Sequence, residues 1–278
     1  MPLLDLVTPW AAARGASDAT RAMHQLLERH AAVLERIRRQ RAPHLETLPL
    51  TTDPAVLARA AARAADASFS QQLRDAEQAA ARLGADLPHS TVLVAGSDEG
   101  EAVLPLPGAP PLVVLFLDRE PDNTALLLAQ VRGQAAITRW GAADSAAILR
   151  DTPHTTWDSW ELTRTVPLRE WIYAVGVAIH LSHAVFPATP THRLIGLRRG
   201  EVGRLRERER TLNALLTPDL DESGLGLVLR WLVSETPAAM RTYQGTVIPP
   251  GAGRYLAWRL TADRVARVGV REALRLPA

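Results

Sequence analysis

Cysteine is absent from the 278 residues. That excludes a disulfide framework, a thiolate zinc site and a cysteine nucleophile together. Lysine is absent as well, since all 32 basic side chains are arginine, so covalent catalysis through a lysine amine is excluded too. No stretch approaches the roughly 18 to 20 consecutive apolar residues that a membrane span requires. The segment Met1 to Ser17 carries Leu3, Leu4, Leu6 and Val7 but no basic residue ahead of them, which makes a poor secretion signal. The expectation is a cytoplasmic protein with no membrane partner.

What is present is a chain that is 47% hydrophobic, enough to bury a core without covalent staples. Arginine keeps its charge at any accessible pH, so a net charge of +2 describes a nearly balanced surface rather than a polycation. The run Arg204-Leu205-Arg206-Glu207-Arg208-Glu209-Arg210 mixes both signs and has no aromatic residue for stacking, so it reads as a solvated helix face and no nucleic-acid partner is expected.

Periodicity predicts an amphipathic helix over Asp18 to Arg41, with Met23, Leu26, Leu27, Val33, Leu34 and Ile37 on one stripe. Asp53 followed by Pro54 reads as a cap with proline in the first turn, opening an alanine-rich helical run that breaks near Ser68 and continues to Gly84. The first ninety or so residues are thus expected to be helical. Short β-like runs follow at Thr91 to Ala95, Ala102 to Leu106 and Pro111 to Asp118, the apolar Leu112 to Leu117 reading as an edge-like strand. Helices are predicted over about Thr124 to Trp140, apolar nearly all round its first two turns, and over about Leu168 to Phe186, of the same character, and both are hence expected to be buried. The stretch Asp151 to Pro167 reads as a long ordered loop, and further helices as covering about Leu197 to Leu216, Gly226 to Glu235 and Gly253 to Val268.

This order resembles a predicted zinc-dependent protease family of the thermolysin-like (gluzincin) type. Ala129-Gln130-Val131-Arg132-Gly133-Gln134-Ala135-Ala136 stands where the family's HExxH falls, Val175-Gly176-Val177-Ala178 resembles its E-G-x-A segment, and Gly253-Arg254-Tyr255-Leu256-Ala257-Trp258-Arg259 resembles its late glycine-and-tyrosine helix. The resemblance covers about residues 91 to 270 and implies an α+β, mostly helical, zincin-like fold. A small sheet would pack on a buried former active-site helix, in a single domain spanning 1–278 with a helical part over about 1–90 and a zincin-like part over about 91–278. In HExxH the two histidines, four apart on one helical face, hold zinc while the glutamate deprotonates the metal-bound water. Here Gln130 and Gln134 stand at the histidine positions, Val131 at the base and Val175 at the third ligand. Amides are far poorer zinc ligands than imidazoles, and valine has no proton to exchange. The resemblance therefore implies no catalytic residue, no metal and no cofactor.

Other candidates are His180 and His183, three apart on the second buried helix, and His154, Trp157, Trp160 and Glu161 in the long loop, where aromatic residues suit a binding wall. Tyr255 joins them through the late helix. The function expected is a non-catalytic zincin-like protein that binds a peptide, a protein or a polar small molecule in the former cleft. The alternative is a hydrolase with a rebuilt site using His154, Glu161, His180 or His183.

Overall fold

A computed structural model of the chain describes residues 3–40, 53–95, 101–106, 109–118, 122–145, 163–233 and 237–278. The protein is mostly helical with a small sheet, and no helix among the described residues is long and apolar enough to cross a membrane. Two compact units are formed. The first comprises Met1–Ala79 and Leu87–Gln134, the second Ala80–Asp86 and Ala135–Ala278.

The first unit is built on a four-stranded mixed sheet in the order β1 (Leu3–Asp5), β2 (Ser90–Val94), β4 (Ala109–Phe116), β3 (Glu101–Leu106). β1, β2 and β4 run parallel and β3 is antiparallel to β4. The apolar run at Leu112 to Leu117 is therefore not at an edge, because β4 is paired on both sides. Its continuous Leu and Val content is what a strand buried on both faces requires. Leu3 to Asp5 extends the sheet rather than the helical region, which corrects the expectation for the first residues.

Alternation sorts the side chains between the two faces. Val92, Val94, Leu112, Val114 and Phe116 pack with Leu6 and Trp10 and with Met23, Leu26 and Leu34. These come from β1's exit, α1 (Val7–Arg14), α2 (Ala19–Arg29) and α3 (Ala31–Gln40). The predicted single helix over Asp18 to Arg41 is thus two helices, parted at His30, a polar half-buried residue on the apolar stripe. Asp18 caps α2, its carboxylate accepting the Arg21 N–H at 3.0 Å. Asp53 accepts the Ala55 N–H at 2.7 Å and opens α4 (Pro54–Ala64). The next break lies just before Ser68, where the Asp66 carboxylate accepts the Ser68 N–H at 2.8 Å as α5 (Ala67–Arg82) starts.

On the opposite face lies α6 (Asn123–Ser145), of which Asn123 to Gln134 belong to this unit. Leu126, Leu128, Ala129, Gln130 and Val131 are all buried, in accord with the all-round apolar pattern. Gly133 sets how closely helix and sheet approach. A Cβ there would fall 2.7 Å from Val113 Cγ1, inside any real contact.

The second unit is helical. Its centre is α7 (Leu168–Val185), followed by α8 (Thr191–Ile195), α9 (Arg199–Glu207), α10 (Glu209–Leu216) and α11 (Leu225–Trp231). The predicted helix over Gly226 to Glu235 ends early at Trp231, and a small hairpin of β5 (Thr242–Tyr243) and β6 (Thr246–Val247) follows. Its turn places Gln244 and Gly245 at positive φ (47° and 73°), the twist that short hairpins demand. α12 (Ala252–Val268) packs along α7, and α13 (Val270–Ala273) follows it.

Candidate functional site

In the first unit the positions singled out on α6 face inward. Gln130, Gly133 and Gln134 lie three and four apart and so form one stripe, turned toward Thr91, Val113 and α5. Gln130 is 0% exposed and Gln134 1%. The Gln130 amide oxygen accepts from the Thr91 hydroxyl at 3.0 Å, while its amide nitrogen lies 3.3 Å from His89 Nε2. His89 Nδ1 stands 3.1 Å from the Leu87 carbonyl oxygen. A carbonyl can only accept, so Nδ1 carries the proton, and Nε2 offers the lone pair into which Gln130 donates. The Gln134 amide nitrogen donates to the Glu77 carbonyl at 3.2 Å, and the Glu77 carboxylate lies 3.9 Å from His89 Nε2.

The result is a polar array of buried Gln130, Gln134, Thr91 and His89 with half-buried Glu77, drawn from α6, β2 with its lead-in, and α5. Burying an amide in such a place is tolerable for Gln130, whose oxygen and nitrogen are both bonded, and Gln134 is held through its amide nitrogen. Val131 is fully buried. The side chains of Gln130, Val131 and Gln134 themselves offer a metal neither an imidazole nor a carboxylate, only two amides bonded within the unit and an aliphatic group. His89, Thr91 and Glu77 were not singled out from the sequence. A lone histidine before a strand, a threonine within it and a glutamate on a charged helix carry no mark of their shared position.

In the second unit, Val175 is half-buried on α7, and the neighbouring Gly176 lies directly against α12. A Cβ at Gly176 would fall 2.7 Å from Thr261 Cγ2 and nearer still to the Ala257 carbonyl oxygen. Gly253, in the late motif, meets the Trp231 carbonyl in the same manner. Tyr255 is buried and donates its hydroxyl to Glu209 Oε2 at 2.7 Å, while Arg259 Nε donates to Glu209 Oε1 at 3.2 Å. Burial pushes the Tyr255 hydroxyl up to about 12, and the hydroxyl in turn holds the Glu209 carboxyl below its usual range.

His180 and His183 do not converge. His180 is half-buried and donates from Nε2 to the Trp258 carbonyl at 3.0 Å, tying α7 to α12, whereas His183 is exposed. Burial lowers the His180 pKa, and the neighbouring His183 adds to that. His154, Trp157, Trp160 and Glu161 lie outside the described residues. Among the described residues no group of three or more His, Asp or Glu side chains could hold a metal ion.

No family model, no curated protein and no solved structure matches the chain.

Proposed function

We propose that the protein is a non-catalytic, zincin-like binding module, a pseudo-metallopeptidase whose partner is a peptide, a protein or a polar small molecule. The observation that carries this reading is the state of Gln130 and Gln134. At the two positions where a zinc peptidase of this type presents imidazoles, this chain presents neutral amides, buried and hydrogen-bonded to Thr91, His89 and the Glu77 backbone. Val131, at the base position, has no group that can activate water. The small residues of the same segments keep packing roles, Gly133 against Val113 and Gly176 against α12, which suits a scaffold retained after its chemistry was lost.

The test restores the family residues together: Gln130→His, Val131→Glu, Gln134→His and Val175→Glu. One zinc per chain, retained through dialysis and read by elemental analysis, would support the scaffold reading. A folded variant that takes up no zinc would overturn it. Should the buried Val131→Glu prevent folding, the triple variant without it carries the same test, since that glutamate is a base and not a ligand.

A further inference from the structure

The ring of His89 and its neighbours in the first unit make a hydrogen-bond circuit with two complete settings. His89 is 6% exposed, and its Nδ1–H donates to the Leu87 carbonyl at 3.1 Å, which leaves the Nε2 lone pair to the Gln130 amide N–H at 3.3 Å. The other end of that amide takes the Thr91 hydroxyl at 3.0 Å. The Glu77 carboxylate stands 3.9 Å from the same Nε2, too far for a hydrogen bond and near enough for an ion pair. The polar groups around the ring thus come from three elements, Gln130 from α6, Thr91 from β2 by way of that glutamine, and Glu77 from α5. Among the described residues Glu77 is the only charged group in contact with His89.

The partner opposite Nε2 decides what the ring can do. Imidazole ordinarily changes charge between pH 5 and 8, and a buried ring that gains a proton must find an acceptor for its new N–H. A fixed donor such as a guanidinium would forbid that proton, and a carboxylate within hydrogen-bond distance would hold it. A primary amide does neither, because turning it end for end exchanges donor for acceptor within almost the same volume. With Gln130 turned, Nε2–H donates to the amide oxygen, the amide N–H donates to the Thr91 oxygen, and Nδ1–H keeps the Leu87 carbonyl. Every atom of the circuit keeps a partner, and the Glu77 carboxylate faces the new positive charge.

We propose that this array is a proton-operated switch, in which one proton taken from solvent at His89 Nε2 turns the Gln130 amide end for end and adds an ion pair with Glu77. In the neutral setting the ring ties the lead-in of β2 to α6 alone. In the charged setting it ties the same segment to α5 as well. The inference rests on these hydrogen bonds and not on the zincin-like reading, so a restored variant that takes up no zinc leaves it standing.

Nitrogen NMR on the isotope-labelled full chain reads both settings. At pH 8 the ring should show Nδ1 protonated and Nε2 bare, with a scalar coupling between Gln130 Nε2 and His89 Nε2 across their N–H···N bond. At pH 5.5 the Nε2 resonance should move to the protonated position, that coupling should vanish, and the Gln130 amide resonances should shift with the same midpoint, all reversibly. Glu77→Gln, at a half-buried position, should move the common midpoint to lower pH, because the charged setting loses its ion pair. A ring with Nε2 protonated at pH 8, a ring that stays neutral in the folded chain at pH 5.5, or an amide that does not change while the ring charges overturns the proposal. So does a midpoint that Glu77→Gln leaves in place. If that variant does not fold, the first three criteria decide on the parent chain.

Discussion

The Thr91 hydroxyl donates to the Gln130 amide oxygen at 3.0 Å, joining the start of β2 to the helix that lies across it. This bond and the one from the Gln130 amide to His89 make the glutamine an internal strut between strand and helix. Replacing it by an apolar residue of similar size would leave two buried partners behind.

Gln130→Leu should therefore destabilise the first unit by about 1 to 3 kcal/mol, the usual cost of stranding buried polar groups. Chemical denaturation with an unchanged m-value would read it out. Combining Gln130→Leu with Thr91→Val should recover part of the loss, because partners removed together leave less unsatisfied. A Gln130→Leu protein as stable as the parent would show that the amide has no structural role.

Gly176→Ala should be more damaging. The added methyl overlaps with the Ala257 carbonyl and Thr261 of α12, and both neighbours belong to a packed helix that cannot retreat cheaply. A loss of about 2 to 4 kcal/mol is expected, against a few tenths gained by the same substitution at the unobstructed Gly203 of α9. Equal effects at the two positions would refute the close-packing account.

Much of this fold is legible in the sequence. The buried character of α6 and α7 shows in their all-round apolar pattern, and the Asp53 cap in its proline. The position of β4 is not, because a run of Leu and Val says that both faces are buried but not how many strands flank it. The Leu3–Asp5 strand escaped for a related reason: it is decided by its partner β2, far away in the chain. Of the polar array, Gln130 and Gln134 stood out through their spacing. His89, Thr91 and Glu77 have meaning only once the sheet brings them to α6.

The Tyr255–Glu209 bond carries a pH signature at both ends of the scale. Glu209 has a lowered pKa in the folded protein, so its contribution is present above the ordinary carboxylate range and is lost as pH falls through the lowered value. Tyr255 is raised to about 12, so its contribution is present below about 10 and is lost as pH rises from there. Tyr255→Phe should cost about 1 to 2 kcal/mol near neutrality and much less at either extreme. Thermal unfolding of both proteins across pH would show the gap narrowing at both ends, and a constant gap would contradict the assignment.

His180 gives the sharpest separation between a structural tie and a rebuilt metal site. Burial lowers its pKa, so between that lowered value and about 6.5 the unfolded chain binds more protons than the folded one. Stability contributed by neutral His180 is then complete above about 6.5 and falls as pH drops below it. His180→Gln, whose amide can still donate to the Trp258 carbonyl, should shed that dependence, and the gap between parent and variant should shift in the variant's favour from pH 8 to pH 5.5. His183→Gln, at an exposed position, should change the profile only slightly, by removing a neighbouring charge. A metal site would behave otherwise. Coordination through Nε2 requires His180 to give up the Trp258 carbonyl, since the atom that now carries the proton must carry the metal. Zinc that survives dialysis in the parent and disappears in the His180→Ala, His183→Ala double variant would support that rebuilt site. A pH-dependent gap with no retained zinc would identify His180 as the bond that holds α7 to α12.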